Sequence, residues 1–196
     1  ISVLRGYPGA VLAHKDRLIF ADFPKAPELH DMSIIGVPED HDTGDGLDDD
    51  AIIDGPGDAK GKRVFHVVSA EQLISLTEAG SYYVGEGPST PLTPANVEFL
   101  NIGPEAAGPC NPIKTAEGVI FAEQAADRLM LLAPTGQVRR AWSATELIAA
   151  ASTIFNSPSR MLLVDGSDLG PERYIFAVNE DGSLCVVHYR RDSELA

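Results

Sequence analysis

The acidic residues between positions 39 and 58 are the densest group in this sequence with metal-binding chemistry. No Lys or Arg interrupts them, and they are Glu39, Asp40, Asp42, Asp45, Asp48, Asp49, Asp50, Asp54 and Asp58. Carboxylate oxygens suit calcium, and Asp40, Asp42 and Asp45 alternate with other residues as ligands of such a loop do. The EF-hand pattern fails, however, because Gly44 stands at the third ligand position and Asp45 where glycine is needed.

Mutual repulsion of these carboxylates therefore predicts a solvated loop over residues 39–58, within which no metal ligand is assigned. Two alternatives stay open for this acidic loop. It is a calcium site in the first, and in the second it is a negatively charged segment of a channel lumen or subunit interface.

Histidine is the next residue type that could do chemistry. The chain has five, His14, His30, His41, His66 and His188. They do not accompany a G-x-S-x-G nucleophile motif, and no pair of acids stands in a context typical of glycosidases. We expect His14 and His66 to be structural and to bond nearby backbone. The sequence therefore predicts no catalytic residue, no cofactor-binding residue and no cofactor.

The two cysteines, Cys110 and Cys185, are far apart and belong to no C-x-x-C motif. Such a pair indicates neither a disulfide framework nor a zinc site. We expect both side chains to be buried as small hydrophobic groups.

Net charge excludes several classes of partner. The formal charge is -14 at pH 7, and this disfavours a surface that holds nucleic acid or anionic lipid by charge attraction. DNA fits only as a passenger that slides past a wall of like charge. No apolar run reaches the ~20 residues that span a bilayer, and no signal peptide opens the chain, so a soluble protein without membrane insertion is expected. Because the first residue is Ile1, we expect a processed chain or a fragment of a longer one.

The elements that must position these groups are mainly short β-strands, separated by Gly, Pro, Asp and Asn. The predicted strands are 11–14, 17–21, 32–37, 64–68, 73–77, 81–84, 97–102, 113–115, 119–122, 128–132, 138–142, 161–164, 174–179 and 184–189. Lys15-Asp16, Glu78-Ala79-Gly80 and Asp181-Gly182 predict hairpin turns.

One short helix is predicted between the strands 138–142 and 161–164. Ser143 is an N-cap candidate, and Glu146 stands three residues later as in a capping box. The apolar residues that share one face of this helix are Leu147, Ile148, Ala151 and Ile154.

Four groups of short antiparallel strands follow one another, centred on Leu18, Leu73, Val119 and Ile175. A recurrence of roughly 45 to 55 residues is typical of β-propeller blades. The predicted fold is mainly β, with antiparallel meanders that form propeller-like blades of either a complete or an incomplete propeller. It is either a single β-rich domain over 1–196 or a fragment of a larger propeller-containing protein, and a β-sandwich stays possible.

Basic and aromatic side chains add no predicted site. Adjacent strand residues point to opposite faces, so Arg139-Arg140 and Arg190-Arg191 are expected at the surface, with a neighbouring subunit's acidic loop as the alternative partner. Aromatic residues on the strands are expected to be core or cross-strand pairs rather than a sugar-binding platform. They are Tyr82, Tyr83, Tyr174, Phe176 and Tyr189.

A series of short motifs in this order resembles the tail nozzle, or tail tubular protein B, family of podophages. The series opens with Gly6-Tyr7-Pro8, Val11, His14 and residues 17–21, followed by Pro27 and Ser33. It continues with residues 48–52, 73–77, Gly80, 82–84, 91–94, Asn96-Val97, 118–121, a helix over 144–155, and 179–182. Asp22 stands where the family usually has glycine, so only that turn departs from the pattern.

The resemblance implies a structural tail protein and not an enzyme. Its members form homohexameric rings with propeller-like domains around the DNA-ejection channel, below the adaptor ring and the portal, and they hold tail fibres. This chain is accordingly expected in the virion, and in the host cytoplasm before assembly. The alternative is a monomeric propeller-like binding module or hydrolase whose acidic loop holds calcium.

Overall fold

The computed structural model describes residues 5–85, 91–125, 128–137, 140–147, 155–165 and 172–190. These residues form four antiparallel sheets, each built from strands that are consecutive in the chain. The chain is therefore mainly β, as predicted. No helix in these ranges is both long and apolar enough to cross a membrane.

The first sheet has the order β1-β2-β3-β4. Its strands are β1 (Ala10–His14), β2 (Arg17–Phe23), β3 (Ala26–Met32) and β4 (Ile52–Asp54). The predicted Lys15-Asp16 turn is confirmed, because both residues have positive φ, as a two-residue type I′ hairpin requires.

The predicted strand over 32–37 is wrong. Pro24 and Lys25 form a tight turn between Phe23 and Ala26, so β3 begins earlier and ends at Met32. The acidic loop also holds more structure than predicted, since β4 lies within 39–58 and the 3₁₀ turn Gly57–Ala59 begins there. Ile52 and Ile53 pair with β3 because their apolar side chains can cover this sheet.

The second sheet has the order β5-β6-β7-β8. It comprises β5 (Val64–Ser69), β6 (Leu73–Thr77), β7 (Gly80–Val84) and β8 (Phe99–Gly103). Every residue of β6 and β7 is buried, so this sheet is covered on both faces. Its strands agree with the prediction to within a few residues.

The third sheet has the order β12-β11-β10-β9. Its strands are β9 (Ile113–Lys114), β10 (Val119–Ala122), β11 (Leu129–Pro134) and β12 (Trp142–Glu146). The predicted outer strand over 138–142 is thus displaced, with residues 138 and 139 outside the described ranges.

The predicted helix start is wrong, because Ser143 and Glu146 lie in β12 and pair with β11 rather than capping a helix. The sheet pairing satisfies the backbone groups of these residues, and it prevails over their helix-capping propensity. The rest of the predicted helix, 148–154, lies outside the described residues.

The fourth sheet has the order β13-β14-β15. Its strands are β13 (Pro158–Asp165), β14 (Glu172–Asn179) and β15 (Leu184–Arg190). The predicted hairpin at Asp181-Gly182 is confirmed: Gly182 has a φ of +84°, and the Asp181 carboxylate accepts from the backbone amide of Ser183.

Each sheet packs against the next one in the chain through its own apolar cluster. Between the first and second sheets lie Ile19, Met32, Ile52, Leu73, Val84 and Leu92. Between the second and third lie Val68, Ile74, Leu76, Tyr83, Ile102, Ala107, Val119, Phe121, Met130, Leu132 and Trp142. Between the third and fourth lie Cys110, Ile113, Ile120, Ala122, Leu129, Phe155, Met161, Ile175, Ala177 and Cys185.

Strand β10 shows how the period of two residues builds this stack. Val119 and Phe121 point into the cluster shared with the second sheet, whereas Ile120 and Ala122 point into the cluster shared with the fourth. A strand buried on both faces must be apolar throughout. This explains the unbroken VIFA sequence of β10.

One turn recurs in two of the sheets. Thr77 precedes Gly80 and Thr115 precedes Gly118 by three residues, and each threonine hydroxyl donates to the carbonyl oxygen of its glycine. Gly118 has a φ of +154°, and a Cβ there would lie 1.8 Å from the Leu132 carbonyl oxygen. Only glycine therefore allows β11 to approach β10 at this point.

Candidate functional site

The most unusual charged group in the described chain is the buried guanidinium of Arg17, which is 2% exposed. Its Nη1 donates to the carbonyl oxygens of Ser33 (2.5 Å) and Asp50 (2.8 Å). Its Nη2 donates to those of Leu92 (2.9 Å) and Asp48 (3.3 Å). One side chain thus joins β2, the acidic loop and the segment before β8.

Burial lowers the pKa of Arg17, and the nearby carboxylates of Asp49 and Asp50 oppose that shift. These acids hold a positive charge in a place where it would otherwise be costly to bury. The sequence showed no Lys or Arg within 39–58, and the compensating charge comes instead from the start of β2. No local pattern signals this pairing, which joins residues about thirty positions apart.

The acidic loop is consequently anchored through its backbone while most of its side chains remain exposed. Asp50 Oδ2 accepts from the backbone amides of Gly46 (2.9 Å) and Leu47 (2.7 Å). Asp42 Oδ1 accepts from the amide of Gly44 at 3.2 Å. The carboxylates of Asp42 and Asp50 therefore bond the loop's own amides, as Asx turns do.

A calcium site in the acidic loop, one of the two alternatives, needs several carboxylates to come together. Among the described residues, no group of three or more His, Cys, Asp or Glu side chains is placed to hold a metal ion. Asp40, Asp42 and Asp45 are spread along the exposed loop and do not form such a group.

Asp31 and His41 form a second pair of ionisable side chains, on the outer face of the first sheet. Asp31 is 4% exposed, and its Oδ1 lies 2.7 Å from His41 Nδ1. Arg5 Nη1 lies 3.4 Å from Asp31 Oδ2, and the His41 ring stacks on Phe20 with centroids 5.0 Å apart. This is an imidazole oriented by a carboxylate, the arrangement that also orients a general base.

A shallow apolar groove of about 450 Å³ adjoins this pair, and it is lined by Leu18, Phe20, Pro38, Glu39 and His41. Nε2 of His41 is buried and has no hydrogen-bond partner among the described residues. Sequence reasoning treated His41 as one of five unremarkable histidines, because its carboxylate partner stands on a strand ten residues earlier.

Two others of the five histidines, His14 and His30, join the first and second sheets. His14 Nδ1 lies 2.8 Å from Ser69 Oγ, and His30 Nε2 lies 2.9 Å from Ser75 Oγ. His30 and Ser75 are both 0% exposed, so no substrate reaches that pair. For His14, backbone partners nearby in the sequence were predicted, and this contact instead reaches the side chain of Ser69 on the second sheet.

Burial lowers the pKa of His30 to about 4, and backbone groups of Asp54 and Glu28 oppose the shift. The pKa of His66 is lowered mainly by burial as well. His188 stacks on Tyr174 at 5.1 Å in the fourth sheet. The neutral form is therefore the one that the fold favours for His30 and His66.

The structure also places several of the tyrosines, cysteines and arginines that the sequence analysis singled out. Tyr82 and Tyr83 are buried, at 1% and 7% exposure, as predicted. Cys110 and Cys185 are buried and unbonded to each other, and burial raises the pKa of Cys110 to about 11. Arg140 is exposed, whereas Arg139 and Arg191 lie outside the described residues.

The fourth sheet presents a row of apolar side chains to solvent. Leu162, Val178, Leu184 and Val186 are 63%, 42%, 60% and 51% exposed, and Val164 is 39% exposed. All five lie on the face opposite the cluster shared with the third sheet, since they alternate with Met161, Leu163, Ala177, Cys185 and Val187. Monomeric proteins seldom leave such a contiguous face uncovered.

No protein-family model matches this chain, and no curated protein matches it either.

Proposed function

We propose that this chain is a structural component of a phage tail, of the nozzle or tubular protein type. One observation carries the proposal: four antiparallel meanders pack face to face in chain order. Such a body has one shape, because each sheet is held by an apolar cluster against its neighbour. Holding and passing a passenger needs shape rather than covalent chemistry.

In this proposal the four sheets are blades of an incomplete β-propeller. Blades of a propeller are meanders of about four strands that each contact the next blade in sequence. The described sheets share that strand number, apart from the three-stranded fourth sheet, and they share that order of contact.

The charge distribution supports a role beside DNA as passenger. The chain carries a formal charge of -14, and the exposed acidic loop is fixed to the body by Arg17. Like charge keeps a passing polyanion mobile, because no counterions are released by contact with it. The partners in this proposal are further copies of the chain in a hexameric ring, the adaptor and portal proteins, and tail fibres. In this proposal the protein is not an enzyme. It is located in the virion, and in the host cytoplasm before assembly.

Mass spectrometry of purified virions tests this proposal. We expect peptides of this chain in particles, at a ratio to portal protein that matches a ring. Negative-stain electron microscopy of the purified protein should show rings of uniform size. Absence of the chain from intact virions, together with its recovery from the soluble host fraction, would overturn the proposal.

A further inference from the structure

On the described strands, exposed large apolar side chains occur in the first and fourth sheets, at the two ends of the stack. Within the described ranges such side chains are Tyr7, Val11, Val37, Leu47, Leu162, Val164, Val178, Leu184 and Val186. The first four belong to the first sheet and the segments that adjoin it, and the other five to the fourth sheet. The strands of the second and third sheets contribute none, because each of those sheets is covered on both sides.

At the fourth sheet, cross-strand pairing places these side chains in adjacent rows. Leu162 pairs with Phe176, which pairs with Val186. The next row joins Val178 and Leu184 and begins with Arg160. In the three contacts between successive sheets, rows of this kind face a neighbouring sheet.

At the first sheet, the outer face holds the complementary surface. Val11 is 63% exposed and pairs with Phe20, which lines the groove beside His41. Leu18 and Pro38 continue the apolar lining, and Glu39 stands at its rim. The groove opens to solvent, so side chains of another sheet can reach it.

We propose that the outer face of the fourth sheet packs on the outer face of the first sheet of a second copy of this chain. This rests on the proposed ring, and it names the surfaces that would build it. Contact between unlike surfaces is heterologous, and repeated contacts of this type close into rings or extend as filaments. The contact continues the same sheet-on-sheet series that joins the four sheets within one copy.

Charge favours this pairing over contact between two fourth sheets. Arg160 is exposed beside the apolar rows of the fourth sheet, whereas Glu39 lines the groove on the first. Pairing unlike ends brings these opposite charges together. Pairing two fourth sheets would leave the groove empty and would not bring Glu39 to Arg160.

Two variants test the inference, each with a carboxylate placed on one end. Val186→Glu alters the fourth sheet and Val11→Glu the first, while Thr145→Glu adds the same charge to an exposed position of the covered third sheet. Light scattering at micromolar concentration measures association, and circular dichroism checks that each variant is folded. We expect each end variant to weaken association at least about tenfold, because an unpaired charge would be buried, and Thr145→Glu to leave it unchanged.

Mixing the two end variants gives the sharper result. Each retains one intact end, so an equimolar mixture of Val11→Glu and Val186→Glu should form a one-to-one dimer and nothing larger. If Val186→Glu lost association while Val11→Glu associated like the wild type, the contact would be between two fourth sheets, and the inference would be overturned. Rings that survive both substitutions would overturn the inference while leaving the proposed tail function intact. A wild-type chain that stays monomeric would overturn the inference as well, and the virion analysis would then decide the tail function separately.

Discussion

The interfaces on the two sides of the second sheet differ in chemistry. On the side of the third sheet, eleven buried residues form an apolar cluster that includes Phe121 and Trp142. Side-chain bonds cross this interface too, from Trp142 Nε1 to Gln72 Oε1 and from Lys114 Nζ to the Ser69 carbonyl oxygen, but neither joins two ionisable side chains. On the side of the first sheet, the cluster has six buried members and is supplemented by side-chain bonds. Two of these are the His–Ser bonds made by His14 and His30, and a third is the ion pair of Asp22 with Arg63.

The difference separates two contributions to one fold. Apolar burial stabilises in proportion to the area removed from water and is indifferent to direction. Hydrogen bonds add less net free energy, but they fix which residue lies opposite which, and losing one partner leaves the other unsatisfied. We therefore expect the apolar interface to set the size of the stability, and the polar interface to set its dependence on pH and salt.

Breaking the apolar interface should have the largest effect. Phe121 is 1% exposed, and Phe121→Ala should lower the free energy of unfolding by about 4 kcal/mol, from lost burial and the cavity that remains. Urea denaturation followed by circular dichroism measures this. Phe20→Ala, on the half-buried outer face of the first sheet, is the matched control and should cost less than half as much. Equal losses would show that burial between the second and third sheets is not the main source of stability.

Removing the charge that anchors the acidic loop should come next. Arg17→Met leaves four carbonyl oxygens without their donor, and we expect a loss of about 3 kcal/mol. Proteolysis should also become faster within residues 39–51, because that backbone loses its attachment. Arg140→Met, at an exposed position, should change neither quantity. An acidic loop that resists protease equally in both variants would contradict the anchoring role of Arg17.

Acid should weaken the polar interface through His30. The pKa of His30 is lowered from 6.5 to about 4 by burial, so between these values the unfolded chain binds the proton and the folded chain does not. Stability is therefore fully present above pH 6.5 and is lost as pH falls towards 4, by up to about 3 kcal/mol. Carboxylates titrate in part of the same range, so the difference between wild type and His30→Asn isolates this contribution. A difference that does not vary with pH would show that His30 titrates normally in the fold.

The positions of many strands and turns were predictable, because they depend on residues that are close together in the sequence. A few adjacent residues are enough to indicate strand β10, with its sequence VIFA, and the turns at Lys15-Asp16 and Asp181-Gly182. The helix starting at Ser143 was predicted wrongly because its capping pattern is equally local, and pairing with β11 prevailed over it.

The charged groups could not be predicted in the same way. Arg17 meets its carbonyl partners only after β2 and the acidic loop are folded together, and His30 meets Ser75 across 45 positions. A single sequence shows the residue types of these pairs but not their pairing. The sequence did indicate that most acidic side chains of residues 39–58 are exposed, and it could not indicate that a buried arginine holds this segment in place.

The smallest expected effect lies at the ion pair between the first and second sheets. Arg63 donates through Nε and Nη2 to the two carboxylate oxygens of Asp22, both at 2.8 Å. Asp22 is nearly buried while the Arg63 side chain is 52% exposed, so solvent screens the attraction. Asp22 has a φ of +61°, which asparagine tolerates better than alanine, so Asp22→Asn removes the charge with least strain.

A double-mutant cycle of Asp22→Asn with Arg63→Met should give a coupling free energy of about 1 kcal/mol. Screening predicts that the coupling shrinks when unfolding is measured in molar salt, whereas the loss in Phe121→Ala should not shrink. A coupling near zero at low salt would mean that the polar interface fixes the pairing of the sheets without stabilising it. A coupling as large as the Phe121→Ala loss would mean that the two interfaces do not divide their roles as their chemistry suggests.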